Sequence, residues 1–437
     1  MTTLIFPISR IEGHARVVIE VYGGEVISAH LEATEFRGFE HFVKGVPAEQ
    51  MPIIVPRICG VCSTAHHVAS IKALEEVYGV SIPPLAKQLR ELLLLGQIIQ
   101  NQASSLFIFT MPDRLGVPSI LQAAGDDLPE DARAGIGLRA LQVRKAGTDL
   151  ITLAGGQFIH PIKAVVGGVT SGINIEKAEA MHAKLENTLP TACELFDYYW
   201  EMSLELRDRI GTWGDDEPAH YLTAVGDHLP NYCGDIIHVM YPDGVTRVNF
   251  PARRIMDYLD FNETEYSYAG YTSFQGQVIR ANSLARINMT SRMGTPCADE
   301  YLDRFDESFG RPAHGILLFD LCRGIELVYS IERAMNILTE SLDHEDTHVP
   351  YKPCDGEGFG LVEAPRGPLI HRYVIKNGLI SEAKFIIPTT HNLLAIERAL
   401  RVAAKRYISA DQVDMELERA VGRVVRAFDP CIACATH

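Results

Sequence analysis

The chain is poor in positive charge and in uninterrupted apolar sequence. Lysine and arginine total 40 against 56 aspartate and glutamate residues, a formal net charge of −16. An acidic surface of that size is repelled by nucleic acid and by anionic membrane, which argues against both as partners. The most apolar stretch, Leu92 to Phe109, is broken by Gln97, Gln100, Asn101, Gln102 and two serines, and Arg90 and Glu91 precede it. It therefore falls short of the ~20 predominantly apolar residues of a membrane span and reads as a core helix. No charged-then-apolar leader precedes Ser9-Arg10-Ile11-Glu12, and nine cysteines is an odd number, so a secreted disulfide framework is not expected. A reducing cytoplasm suits the composition. Two further motifs are missing: a C-x-x-C-x-x-C run for an iron–sulfur cluster, and a G-x-G-x-x-G after a strand for a dinucleotide. Neither an iron–sulfur cluster nor a bound dinucleotide is therefore expected in this chain.

At 437 residues, with 47% hydrophobic content, the chain can bury a large core. Its length is compatible with two or three domains of ~150 residues or with one large unit. No repeat, low-complexity tract or linker divides it, so one domain over residues 1–437 is expected. Ala15–Val21 and Val26–Leu31 around Gly23-Gly24 predict a hairpin. His67, Val68, Ile71, Leu74 and Val77 recur at helical spacing until Gly79 and Pro83-Pro84. Long helices are predicted over about 85–109, 130–150, 173–210 and 324–341, with a last one over 410–427 carrying Val413, Leu417, Val421 and Val424 on one face. Short β-like runs occupy 220–300. The expected fold is thus α+β, a predominantly helical core with small sheet elements near the amino terminus and in the middle.

What the sequence does contain is a pair of Cys-x-x-Cys motifs at its two ends: Cys59 and Cys62 in Arg57-Ile58-Cys59-Gly60-Val61-Cys62, and Cys431 and Cys434 in Asp429-Pro430-Cys431-Ile432-Ala433-Cys434. A zinc ribbon keeps its pairs roughly 15–20 residues apart. Here almost the whole protein intervenes, so any shared site is assembled by the finished fold, which favours catalysis over a local staple. Four sulfur donors select nickel, iron, copper(I) or zinc over hard cations. The remaining cysteines, Cys193, Cys233, Cys297, Cys322 and Cys354, lack metal-type spacing and read as core filling.

Those motifs resemble the large, catalytic subunit of nickel–iron hydrogenases, and the likeness runs along most of the chain. Arg10-Ile11-Glu12-Gly13-His14, Arg37-Gly38-Phe39-Glu40, His160-Pro161 with Gly167-Gly168, Glu363-Ala364-Pro365-Arg366-Gly367 and Pro388-Thr389-Thr390-His391-Asn392-Leu393 match further family signatures in order. The resemblance implies the family's large-subunit fold and reversible oxidation of dihydrogen to protons and electrons. It also implies that all four cysteines bind nickel, with Cys62 and Cys434 bridging to an iron that carries carbon monoxide and cyanide. A metal-bound thiol is deprotonated, and its spare lone pairs allow bridging.

The resemblance further makes Glu12 the proton gate. Splitting dihydrogen releases a proton that needs a carboxyl of raised pKa near a terminal thiolate, expected to be Cys431. Read without it, Arg10, Glu12 and His14 form a polar turn with local ion pairing. Glu40, His437 and the main-chain carbonyl of Leu393 are implied ligands of a second, hard cation, usually magnesium; a histidine would suit iron almost as well. Arg366 is expected over the metals, paired with Asp429 or Asp113. His66, in a C-x-x-x-H arrangement with Cys62, is expected to reach the bridging sulfur. Asp113 read alone is an acid at a helix-ending turn.

The implied partner is an iron–sulfur small subunit in an obligate heterodimer, with further flavin-bearing subunits passing electrons to NAD(P), F420, ferredoxin or a heterodisulfide system. The family's soluble cytoplasmic branch is the nearest likeness. Two alternatives stay open: a non-catalytic hydrogen sensor, and a quinone-type structural subunit related to respiratory complex I. Family members usually lose a tail after the histidine matching His437, and the resemblance implies for a chain ending there either a processed form or an unusual gene without the tail.

Overall fold

A computed structural model describes residues 1–122, 135–206, 217–225, 232–343, 346–409 and 412–437. Strands β1 (Thr2–Pro7), β2 (Ala15–Tyr22) and β3 (Glu25–Ala33) form an antiparallel sheet in the order β1-β2-β3. The hairpin turns at Gly23-Gly24, as its sequence predicts. β1 is not legible in the sequence, because it pairs at the sheet edge and its outer positions stay exposed.

Helix α1 (Ser63–Tyr78) follows the first cysteine pair and α2 (Pro84–Ala103) follows the double proline. α2 runs on through a π-helical stretch, Ser104–Thr110, into Met111–Leu115. That composite helix is long and apolar enough to cross a membrane, yet 89% of its most apolar window is buried within the protein. Burial, rather than a shortage of apolar residues, marks it as a core element. Leu92 to Leu95, Ile98 and Ile99 are all buried; sequestering such side chains stabilises by roughly 1.5–3 kcal/mol each before the entropy of ordering them is subtracted.

Helices α3 (Ile136–Gly155) and α5 (Leu318–Leu338) pack against α2, and α4 (Ile175–Leu204) packs against both of them. The start of the helix expected from 130, the end of that expected to 210, and position 410 lie outside the described residues. Residues 220–300 supply short strands, including a four-stranded sheet built from His220–Thr223, Ile236–Met240, Arg247–Pro251 and Ile279–Arg280.

A second three-stranded sheet goes unannounced by the sequence pattern: β4 (Gly356–Ala364), β5 (Gly367–Lys376) and β6 (Leu379–Ile386), paired antiparallel in that order. Gly360–Ala364 and Gly367–His371 are buried at consecutive positions, so the alternation that betrays a half-buried strand is absent there. β4 lies hard against α1. A Cβ on Gly360 would stand 1.9 Å from the Ala69 carbonyl oxygen, so only glycine permits this approach.

Helix α6 (Pro388–Tyr407) carries Leu393, and α7 (Leu417–Phe428) ends the helical core. Val413 is not on that last helix. It belongs to a two-residue strand pairing Gln412–Val413 with Ile408–Ser409, and its side chain is exposed. α7 closes on Asp429, whose left-handed φ of 47° turns the chain back toward the first cysteine pair.

Candidate metal centre

Four sulfurs meet in the core. The Sγ atoms of Cys59, Cys62, Cys431 and Cys434 all lie within 4.8 Å of one another, and all four side chains are buried. Cys431 sits 3.4 Å from Cys59, 3.9 Å from Cys62 and 2.9 Å from Cys434. The last separation is well beyond a disulfide bond of ~2.05 Å. This spacing suits soft metal at ordinary metal–thiolate lengths of ~2.3 Å, and the donor set fits the nickel–iron group that the sequence implies.

Local backbone explains the convergence. Cys59 is extended after a 3₁₀ turn, Val55–Ile58, and Cys62 caps the amino end of α1, where the helix dipole favours an anionic sulfur. The terminal pair is strapped to the amino-terminal segment: Ile432 N–H donates to the Glu12 carbonyl at 2.8 Å, and Arg37 N–H to the Thr436 carbonyl at 2.9 Å. Gly13 makes this possible. Its φ is +84°, and a Cβ there would stand 2.8 Å from Ala433 N.

The electrostatics separate the thiols. Cys62 is held well below the usual thiol range by its side-chain contacts with Cys431, Cys434 and Cys59, with the Arg366 guanidinium adding to the effect against burial. Burial pushes Cys431 and Cys434 well above it. Arg366 Nη1 stands 3.1 Å from Cys62 Sγ, and Nη2 pairs with Asp429 Oδ1 at 3.0 Å. Asp429, Cys62, Cys431 and Cys59 keep that guanidinium charged although it is buried.

Arg366 owes its placement to a hairpin. Ala364 pairs with Gly367, so Pro365 and Arg366 form a two-residue turn between β4 and β5. Arg286 braces that turn, donating to the carbonyls of Ala364 at 3.2 Å and Pro365 at 2.9 Å and pairing with Glu363 at 2.7 Å.

Glu12 faces Cys59 rather than Cys431: its Oε1 is 3.8 Å from Cys59 Sγ, whereas its link to the Cys431 segment is through the backbone. The geometry follows from the strap, which pairs the main chains and sends the side chain across. Burial raises the Glu12 carboxyl above its ordinary value, and the charge on Cys62 raises it further against the opposing pull of Arg366.

Between the two candidate partners, Arg366 takes Asp429. Asp113 instead pairs with Arg10 at 2.6 Å and with Arg426 at 2.6 and 2.9 Å, tying the segment before Glu12 to the composite helix and α7. His66 points past Cys62 to Cys434, with Nε2 3.4 Å from that sulfur. Burial lowers it to about 4.

Glu40 and His437 meet directly, Oε1 to Nε2 at 3.2 Å, and His437 Nδ1 contacts the Cys434 carbonyl at 2.8 Å. Burial pushes the Glu40 carboxyl up, but the contact with His437 and the Phe385 amide outweigh it and hold it below the ordinary value. Leu393 lies buried in the second turn of α6.

Sequence reading misses several supporting groups. Asn101 donates to Asp429 Oδ2 at 3.0 Å, and Thr389 Oγ1 accepts the Cys431 amide at 2.9 Å. Asn101 does carry a signal, a polar residue inside an apolar helix. His371, Tyr373 and Ser70 extend a hydrogen-bonded chain from His66: His66 Nδ1 to His371 Nε2 at 2.9 Å, His371 Nδ1 to Tyr373 Oη at 2.8 Å, and Tyr373 Oη to Ser70 Oγ at 2.9 Å. Burial holds His371 well below the ordinary histidine value.

Comparison with known proteins agrees with this site. The family model described as nickel-dependent hydrogenase matches residues 37–131 and 232–437, and one described as HoxL-like matches residues 2–36. The chain is 34% identical to the vhu component of the F420-non-reducing hydrogenase of Methanococcus voltae, over 92% of this chain and 97% of that protein. It is 31% identical to the beta component of the NAD-reducing hydrogenase HoxS of Cupriavidus necator, over 99% of this chain and 94% of that one. Its fold superposes on a crystal structure of an NAD+-reducing NiFe-hydrogenase in the H2-reduced state with a TM-score of 0.92 at 28% identity, covering all of both chains. A Ni-Fe-Se hydrogenase from D. vulgaris Hildenborough shares the fold at a TM-score of 0.81 and 22% identity.

Proposed function

The chain belongs to the nickel-dependent hydrogenase family as a large, catalytic subunit, and on that premise we propose that it oxidises dihydrogen reversibly at a nickel–iron centre held by Cys59, Cys62, Cys431 and Cys434. The observation that carries the reading is the meeting of four buried sulfurs from the two ends of the sequence beneath one buried arginine. Bound there, the centre supplies the Lewis acidity and redox capacity for splitting dihydrogen; its iron is proposed to carry carbon monoxide and cyanide.

The protein's own groups do the rest. Arg366, fixed by Asp429 and by its hairpin turn, keeps a positive charge over the site without moving. Glu12, raised by burial, is suited to take up a proton beside Cys59 and pass it on. His66 faces Cys434. Asp113 holds the Arg10 end of the Glu12 segment in place. Glu40, His437 and the Leu393 carbonyl form the proposed hard-cation site, which would tie the terminal histidine down. A magnesium ion suits the oxygen donors.

Electrons are proposed to pass from this chain, acting as one domain, to an iron–sulfur small subunit in a heterodimer, and then through flavin-bearing subunits to a soluble cytoplasmic carrier. Among the relatives, one is named as NAD-reducing and several as F420-non-reducing, which favours NAD(P), ferredoxin or a heterodisulfide system over F420. Retention of all four cysteines speaks against a quinone-type structural subunit. A hydrogen sensor would share the site and differ in turnover.

Nickel and iron content, read with infrared bands of iron-bound carbon monoxide and cyanide, tests the assignment. About one nickel and one iron per chain with those bands is expected; a zinc-only site without them would contradict it.

A further inference from the structure

A chain of four polar side chains leads away from the centre into the core, and none of them reaches solvent. Ser70, His371 and Tyr373 are at most 1% exposed, as is His66. It arises from two periodicities. His66 and Ser70 are one turn apart on α1, and His371 and Tyr373 are two apart on β5, so all four project into the same seam. Three consecutive contacts of 2.8 to 2.9 Å join them, and a fourth, of 3.4 Å, joins His66 to Cys434.

Every group in this chain can both donate and accept, so it can point either way. With Cys434 as a thiol, S–H donates to His66 Nε2, His66 Nδ1–H to His371 Nε2, His371 Nδ1–H to Tyr373, and Tyr373 O–H to Ser70. With Cys434 as a metal-bound thiolate, the sulfur has only lone pairs to offer, and His66 Nε2 must carry the hydrogen. His66 Nδ1 then accepts from His371 Nε2–H, His371 Nδ1 accepts from Tyr373 O–H, and Ser70 donates to Tyr373. The four groups carry one exchangeable hydrogen each in either direction, and the only proton lost is that of the thiol, released as metal binds.

We propose that His371, Tyr373 and Ser70 are positioning residues that fix the tautomer of His66, so that it donates a hydrogen bond to the bridging Cys434 sulfur and withdraws electron density from the metals. A buried imidazole without a partner on its far nitrogen could hold its hydrogen on either side. Because the thiolate can only accept, metal binding selects the direction with the hydrogen on Nε2, and the relay supports that direction by presenting His371 Nε2–H to His66 Nδ1. Metal-ligating groups are commonly oriented by such outer partners; here the partners are three residues deep and end inside the core.

This inference rests on the nickel–iron reading, and the test separates the two. Infrared spectra of the assembled hydrogenase would be compared for wild type, His66→Gln and Tyr373→Phe. Loss of a donor to the bridging thiolate returns electron density to the iron, so the carbon monoxide band should move to lower frequency in His66→Gln. It should move in the same direction, by less, in Tyr373→Phe, which removes one oxygen and leaves the melting temperature near wild type. Ser70→Ala serves if Tyr373→Phe does not fold. Histidine side-chain 15N spectra of the wild-type chain should place the His66 hydrogen on Nδ1 without metal and on Nε2 with it. Bands that move in His66→Gln and stay at wild-type positions in Tyr373→Phe would overturn the relay, as would one His66 tautomer in both states. Wild-type protein without such bands would refute the nickel–iron reading, and the metal-free tautomer would still decide the relay.

Discussion

The Glu12 carboxyl stands 3.8 Å from the Cys59 sulfur while its main-chain carbonyl accepts the Ile432 amide beside Cys431, so one residue touches both cysteine pairs by different atoms. The backbone contact is structural and the side-chain contact is chemical, and substitution can separate them.

Glu12→Gln keeps the backbone strap and the side-chain shape and removes the titrating group. Metal content and infrared bands should match wild type, while exchange of deuterium gas with solvent protons falls by about 10²–10⁴-fold, the usual weight of a positioned acid–base group. Wild-type exchange in the variant would leave Glu12 a strap residue only.

Cys62→Ser replaces the sulfur that Arg366 faces with a hard alcohol oxygen, a poor bridge between soft metals. Loss of both activity and stable two-metal assembly is expected, measured by metal analysis after gel filtration. Full hydrogen uptake by this variant would sink the four-sulfur assignment.

Gly13→Ala tests the strap by itself. The new Cβ would meet Ala433 N at 2.8 Å in a left-handed backbone, a strain of about 1–3 kcal/mol. The carboxy-terminal segment should loosen, with a lower melting temperature and lower metal occupancy, although no ligand has been changed.

The Glu40–His437 contact carries a pH signature. The folded-state pKa of Glu40 lies below its unfolded value near 4.5, so the stabilisation is present above that value and is lost as pH falls through the folded pKa. Glu40→Gln should therefore melt lower than wild type at neutral pH and converge with it in acid. His437→Ala should lower both melting temperature and metal occupancy at the proposed hard-cation site. Parallel melting curves for wild type and Glu40→Gln at all pH values would show the terminus to be held by other contacts.

The sequence announces the parts of this site that are chemically unusual, and is silent on those that are merely well placed. Four cysteines in two spaced pairs have few other uses, whereas Glu12 and Arg366 stand out only through the signatures that hold them, Arg10-Ile11-Glu12-Gly13-His14 and Glu363-Ala364-Pro365-Arg366-Gly367. The hairpin that presents Arg366 stays hidden because the segments flanking its turn, Gly360–Ala364 and Gly367–His371, are buried at consecutive positions and show no alternation. His371 and Tyr373 look like ordinary strand residues, and only the packing of β5 on α1 brings them to His66. Glu12, expected beside Cys431, has its side-chain contact with Cys59 for the same reason: spacing along the chain says which segments meet, but not which side of the strap a side chain takes.

The central claim is turnover at the sulfur site, and hydrogen-dependent reduction of an artificial dye by this chain assembled with the proposed iron–sulfur partner tests it most directly. Wild-type protein containing nickel and iron should reduce the dye only under dihydrogen, and the Cys62→Ser assembly should not. A fully metallated wild-type assembly that reduces no dye under dihydrogen would contradict the account and leave a sensor in its place.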